Sequence, residues 1–242
     1  VFERILNLNC EVRTMSQIIT NLDTGIKIPP IDISAPQEIE TLTCAMGCFW
    51  GPDCRFGAMD GVVRTRVGYG GGTTPDPNYH NIGDHIETIQ IDYDPKKISF
   101  EELLNIFWNG HKPSRTVWKR QYASALFFHN EYQESVARES RAMLSSQVGE
   151  EVGTGLIPFT KFYMAEMYHQ KYHLQGYEEL MREYRSFYPS LGDIVNSTSA
   201  ARVNGFIGGY GDVSQFQKVF PQLGLSKEKE DFLKNIIKRN QR

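Results

Sequence analysis

Alternating apolar and polar residues outline the strands of this chain, and a switch to helical spacing marks the helices between them. The run Ile39-Glu40-Thr41-Leu42-Thr43-Cys44-Ala45 is β-prone, and a short helix is predicted to start near Trp50. Val62 to Tyr69 sets Val63, Thr65, Val67 and Tyr69 on one side and Arg64 and Arg66 on the other, the pattern of a half-buried strand. Gly68 to Thr74 and two prolines then make a loop ending at Tyr79, after which Thr88 to Tyr93 alternates again with Ile89, Ile91 and Tyr93 on one face. Ser99-Phe100-Glu101-Glu102 is a capping box, followed by an apolar stripe of Phe100, Leu103, Leu104, Phe107 and Trp108, with Gly110 near the end of the helix. Gln121 to Phe128 reads as a strand, and Asn130 caps a helix running to about Ser146. A short strand over Phe159 to Phe162 and a helix from Ala165 to about Gln175 are predicted to follow.

The order strand–helix–strand–strand–helix–strand predicts an α+β fold with a split βαβ (ferredoxin-like plait) core. Residues 1–36, with Pro29, Pro30 and Pro36, read as an N-terminal arm, mobile or draped on the surface. Residues 37–188 form the main domain and 189–242 a C-terminal extension. In the extension, Ser226 to Arg242 has the spacing of an amphipathic helix, with Phe232, Leu233, Ile236 and Ile237 as its stripe. Docking of that helix on the body is favoured over docking on a partner.

Composition narrows the function classes. With 242 residues, 40% of them hydrophobic, the chain can bury one substantial core. A net charge of −3 gives no basic excess for nucleic acid, and no apolar run approaches the length that crosses a bilayer. The four cysteines, at 10, 44, 48 and 54, are no disulfide framework for a chain of this length; they suit a reducing compartment, the cytoplasm first and the mitochondrion second. Cys44 and Cys48 have no downstream ligand pair, so no metal site is expected. Val1 to Thr14 carry no secretory h-region, and Met15 reads as a natural start.

Chemistry concentrates at Gly47-Cys48-Phe49-Trp50-Gly51. Two glycines clear space around a thiol at the end of a strand, and two aromatics give the adjoining surface an apolar wall. A cysteine in the first turn of a helix meets unpaired N–H groups and the positive end of the dipole, which favour thiolate. A buried structural cysteine is the competing reading of these local features. This stretch resembles the signature of the methionine sulfoxide reductase A family, the peptide-methionine (S)-S-oxide reductases. Further matches follow in family order: Val67-Gly68-Tyr69-Gly70-Gly71, Thr74 to Tyr79, His85 with Glu87, Tyr93-Asp94-Pro95, Gln121-Tyr122, and Phe162 to Glu166 running into His169-Gln170-Lys171-Tyr172.

The resemblance implies thiol-dependent reduction of methionine S-sulfoxide, free or in peptides and proteins, through a Cys48 sulfenic acid. By position it makes Cys48 the nucleophile, Glu87 the acid, and Tyr79 and Tyr122 the oxygen-binding tyrosines. Phe49 and Trp50 would form the methyl slot beside Gly47, with Tyr172 closing it. Read singly, Glu87 is also a solvated strand residue, Tyr79 a loop residue packing its ring, Tyr122 strand filler and Tyr172 a core residue. His85 is read as orienting Glu87 or lying on the surface, and Glu166 with His169, on one helical face at i, i+3, as structural hydrogen-bonding residues or catalytic ones. The alternative class is a catalytically impaired relative that senses redox state or binds methionine. Phosphate binding by the Gly68 to Gly72 run is a weak third reading, because no Lys-Ser/Thr follows.

Three features depart from the family pattern. Val117 stands where many members have an acid, the Tyr79 to Glu87 loop is short, and Ile207 in the Asn204 to Gly211 stretch stands where a recycling cysteine falls. Cys44 lies about 13 Å from Cys48 at strand rise and Cys54 about 9 Å away along a helix, both beyond disulfide reach without refolding. Cys10 on the arm and Cys54 remain the candidate internal resolving thiols. An external thiol, thioredoxin or glutathione, is the expected reductant of a monomer with no bound cofactor.

Overall fold

The computed structural model describes residues 27–113 and 119–240, so Cys10, Met15 and Val117 lie outside the described residues. After a one-turn helix α1 (Pro30–Ile33), the chain lays down β1 (Glu40–Met46), α2 (Trp50–Gly57), β2 (Val62–Gly70), β3 (Ile86–Tyr93), α3 (Phe100–Asn109), β4 (Ser124–Phe128) and α4 (Glu131–Val148). Short strands β5 (Gly155–Pro158) and β6 (Phe162–Met164) complete one six-stranded mixed sheet of order β5-β4-β1-β3-β2-β6. The fold is α+β. Only β4 and β5 run parallel; the other neighbours are antiparallel.

Local chemistry sets these boundaries. Ser99 and Glu102 close the reciprocal capping box of α3, and the Asn130 side chain accepts from Gln133 N–H to start α4. Leu42, Cys44, Ile89, Ile91 and Leu126 bury one sheet face against Leu103, Leu104 and Phe107 of α3. On the other face Arg64 Nε and Arg66 Nη2 converge on Asp92 Oδ2 at 2.6 and 2.8 Å, as the alternation in β2 requires.

The predicted strand over Phe159 to Phe162 is instead the link between two strands at opposite edges of the sheet. Five strand spacings in a flat sheet would separate those edges by about 24 Å. The four steps from Pro158 to Phe162 span at most about 14 Å. The sheet is therefore strongly curled. Two further expectations are corrected. The strand predicted from Gln121 begins at Ser124, whose partner is Met46, the last residue of β1; Arg120–Tyr122 form a 3₁₀ turn before it. The single helix predicted from Ala165 to Gln175 is broken into a 3₁₀ turn, Met167–His169, and α5 (Tyr172–Gln175). Lys171 between them takes φ +50, because its backbone N–H and its ammonium group both reach the buried Asp53.

The extension holds more helix than its sequence pattern shows. After α6 (Glu178–Phe187) come α7 (Leu191–Val195), α8 (Thr198–Ile207), α9 (Val213–Val219) and α10 (Lys227–Asn240). Leu233, Ile236 and Ile237 of α10 join Leu180, Tyr184, Val203 and Phe206 in a second core, so this helix docks on the body as expected. The described part of the arm is draped on this core. Ile28 packs on it, and Asp32 takes N–H groups of Thr198 and Ser199 at the start of α8 and hydroxyls of Tyr188 and Ser197. No described helix is long and apolar enough to cross a membrane.

Candidate active site

Strand pairing assembles the site at one end of the sheet. Beyond the last β1–β3 pair, Cys44↔Ile89, the strands run on to Met46 and Glu87, and Met46 also pairs with Ser124 of β4. The turn after β1 carries Cys48, and the 3₁₀ turn before β4 carries Tyr122. Both therefore face Glu87. Gly47 turns the chain at φ +89, a conformation that a side chain disfavours.

Cys48 is exposed, whereas Cys44 and Cys54 are buried. The helix α2 starts at Trp50, so Cys48 precedes it; the Trp50 N–H points to the sulfur and favours thiolate. Burial outweighs this and, together with the charge of Glu87, raises the Cys48 pKa. The expectation that the helix terminus would leave Cys48 with a net bias toward thiolate is thus corrected: partial desolvation and a neighbouring carboxylate win.

Glu87 is 2% exposed. Its Oε2 accepts the Phe49 N–H at 3.2 Å and its Oε1 accepts Gln121 Nε2 at 2.6 Å. Burial raises its pKa, and these two donors oppose the shift without cancelling it. A solvated strand position is excluded. Tyr122 is half-buried; its phenol is raised first by burial, then by Glu87, with Tyr79 and Cys48 also acting on it.

Aromatic residues wall the site. Tyr172 stacks on Trp50 with ring centroids 3.7 Å apart and planes within 7°, and remains 43% exposed, at the rim rather than in the core. Phe49 is 2% exposed and packs below the surface against Tyr69, Val67 and Ala165, so it supports the slot more than it lines it. Tyr79 is half-buried, its ring against His169 at 4.6 Å. Glu166 accepts Tyr69 Oη at 2.8 Å and Tyr79 N–H at 2.9 Å, tying the Tyr79 loop to β2. His169 is 2% exposed, its ring against those of Trp50 and Tyr79; neither of its ring nitrogens nor Trp50 Nε1 has a hydrogen-bond partner among the described residues. Burial lowers the His169 pKa and keeps the imidazole neutral. His85 does not orient Glu87; its ring ties Gly72 N–H to the Thr74 carbonyl and closes the loop.

Among the described residues no three His, Cys, Asp or Glu side chains form a metal-binding group. A cavity of about 360 Å³ between the arm, the start of β2 and α8 contains none of the site residues. Reading the residues alone misses Gln121 as the donor to Glu87, and it misses the buried Asp53–Lys171 pair altogether. Gln121 is visible only as part of a matched motif, and nothing in the spacing marks Lys171 as buried.

Comparison with known proteins agrees with this geometry. Residues 40–191 match the family model of peptide methionine sulfoxide reductase, and residues 192–238 match that of the helical domain of selenoprotein methionine sulfoxide reductase A. A peptide methionine sulfoxide reductase of Drosophila melanogaster is 38% identical over 234 residues, 96% of this chain and 93% of the relative. Reduced Mxr1 from Saccharomyces cerevisiae superposes with a TM-score of 0.55 at 28% identity, covering 60% of this chain and 89% of its own. Methionine sulfoxide reductase A of Corynebacterium diphtheriae gives 0.51 at 28% identity, covering 57% and 75%. With its exposed thiol, buried carboxyl and aromatic slot in place, the chain belongs to the peptide methionine sulfoxide reductase family and is a thiol-dependent methionine sulfoxide reductase.

Proposed function

We propose that Cys48 attacks the sulfur of the S epimer of methionine sulfoxide, free or in a polypeptide, while Glu87 delivers the proton that the departing oxygen needs. The thiolate sulfur forms an S–S bond to the substrate sulfur as the S–O bond breaks and oxygen leaves as hydroxide carrying the Glu87 proton; that hydroxide then adds to the Cys48 sulfur, the S–S bond breaks, and the products are methionine and a Cys48 sulfenic acid. Sulfur in the substrate is reduced by two electrons and Cys48 is oxidised by two. Tyr79 and Tyr122 hold the sulfoxide oxygen, and the Trp50–Tyr172 stack receives the methyl group. One observation carries this reading: the buried Glu87 carboxyl accepts the backbone N–H of Phe49, the residue next to the exposed Cys48 thiol, and burial favours the protonated acid.

The sulfenic acid then passes to an external thiol, thioredoxin or glutathione, with loss of water, and a second thiol equivalent releases Cys48. Cys44 and Cys54 are sealed in the core, Cys54 with its sulfur against Asn204 Nδ2 in an intact helix. Ile207 lies buried at the end of α8, where no swinging tail could carry a recycling thiol. The four central strands, ordered β4-β1-β3-β2 with α2 and α3 as crossovers, support reading residues 37–188 as a split βαβ plait, with 189–242 as a helical unit.

Release of methionine from dabsylated methionine S-sulfoxide with dithiothreitol tests the reaction. Wild type should turn over the S epimer and not the R epimer, and Cys48→Ser should be folded and inactive. Turnover by Cys48→Ser would remove Cys48 from the chemistry.

A further inference from the structure

The helix α8 touches none of the groups that contact substrate, yet it grips the helix on which the slot is built. Glycines let the two backbones meet: a Cβ at Gly205 would lie 2.5 Å from Ala58 N, and one at Gly57 would lie 2.6 Å from the Ala201 carbonyl. Arg202 donates to the carbonyls of Gly57 and Val62, setting its positive charge at the C-terminal end of α2.

Asn204 makes the directional contacts. It is fully buried, and its Oδ1 accepts Leu174 N–H of α5 at 3.0 Å. Its Nδ2 donates to Asp53 Oδ2 at 3.1 Å and approaches Cys54 Sγ at 3.4 Å. One amide thus bridges α2, which opens with Trp50, and α5, which opens with Tyr172. The two elements meet again on Asp53, which also takes Lys171 N–H at 3.2 Å, Lys171 Nζ at 2.9 Å and the Thr65 hydroxyl. The Trp50–Tyr172 stack lies at the near ends of the two helices that Asn204 ties together.

We propose that Asn204 is a positioning residue: by bridging Asp53 and Leu174 it holds the Trp50–Tyr172 slot in register, so that the helical unit sets the affinity for substrate. This rests on the reading of that stack as the methyl slot. Asn204 does not contact Cys48 or Glu87, so its loss should act on binding more than on chemistry.

A double-mutant cycle tests it. Asn204→Ala should raise KM for a methionine S-sulfoxide peptide on the order of tenfold, with kcat changed by less than about threefold. In a Tyr172→Ala background, where the slot is already open, the same substitution should change KM less than about twofold. The near-UV circular dichroism of the Trp50–Tyr172 pair should weaken in Asn204→Ala, and iodoacetamide should alkylate Cys48 at the wild-type rate. Equal KM effects in both backgrounds, or a folded Asn204→Ala protein with wild-type KM and near-UV spectrum, would overturn the proposal. Should the alanine variant not fold, Asn204→Ser, which keeps a donor for Asp53, passes through the same cycle under the same criteria. An inactive wild type would strike the assigned reaction instead, while the near-UV signal would still report on the coupling.

Discussion

Glu87→Gln separates proton donation from the rest of the site. The carboxyl now accepts Gln121 Nε2 on one oxygen and Phe49 N–H on the other. Glutamine keeps one oxygen for Phe49, and a half-turn of the Gln121 amide presents its own oxygen to the new NH₂ group, so no buried donor is stranded. Fold and substrate binding survive. The acidic proton does not, and loss of a general acid slows the chemical step by about 10²–10⁴, or ~2.7–5.5 kcal/mol of barrier. Single-turnover release of methionine from a dabsylated S-sulfoxide reads this directly. The pH profile supplies a second check. The reactive pair, thiolate with protonated carboxyl, holds as many protons as the resting thiol with carboxylate. The wild-type rate should therefore be flat between the two apparent pKa values and fall on both sides. Removing the Glu87 charge should abolish the alkaline limb, leaving a single rise with pH through a lowered Cys48 pKa. Stability has the opposite sign from an ordinary paired carboxylate. Because burial raises Glu87 above its usual 4.5, the native state binds more protons than the unfolded state across that interval, and wild-type stability falls as pH rises through it. Glu87→Gln should gain Tm relative to wild type as pH increases. A single-turnover rate within about twofold of wild type would refute the acid role, and a Tm of the variant that falls relative to wild type with rising pH would refute the desolvation.

Lys171→Met strands the Asp53 carboxylate at a site where both partners are 1% exposed. Breaking one side of such a pair costs about 3–5 kcal/mol, and at ~2–4 °C per kcal/mol for a chain of this size the Tm should drop by roughly 6–20 °C; calorimetry showing no loss would mean the pair is not buried in solution. Cys54→Ser should turn over with dithiothreitol at the wild-type rate and leave the oxidised form of Cys48 unchanged; a Cys48–Cys54 disulfide formed by the wild type and absent from the variant would make Cys54 the resolving thiol despite its burial.

The strands and α3 were legible because their signals are local: β2 shows its two faces in Val67 and Arg66, and Ser99 with Glu102 caps α3 in four consecutive residues. The conversion of Ala165 to Gln175 from one helix into two short turns was not, since the cause is Asp53, more than a hundred residues away. The same holds for the start of β4, which is set by where β1 runs out of partners. Motif order singled out Cys48, Glu87, Tyr79 and Tyr122 as candidates, and the structure sets Cys48, Glu87 and Tyr122 on elements that end at one end of the sheet. It misjudged the thiol's acidity, because the helix terminus is visible in sequence and the desolvation and Glu87 charge are not. The helices α7 to α9 escaped because Ala200 to Ile207 is buried all round and carries no amphipathic stripe.

Cys48 as the atom that takes the oxygen is tested most directly by one equivalent of a methionine S-sulfoxide peptide added to reduced, reductant-free protein in the presence of dimedone, with mass-spectrometric peptide mapping. The expected result is one methionine formed per chain and a dimedone adduct on Cys48. Methionine formed with Cys48 unmodified, or an adduct on another cysteine, would contradict it; a disulfide between Cys48 and another cysteine of the chain would contradict recycling by an external thiol.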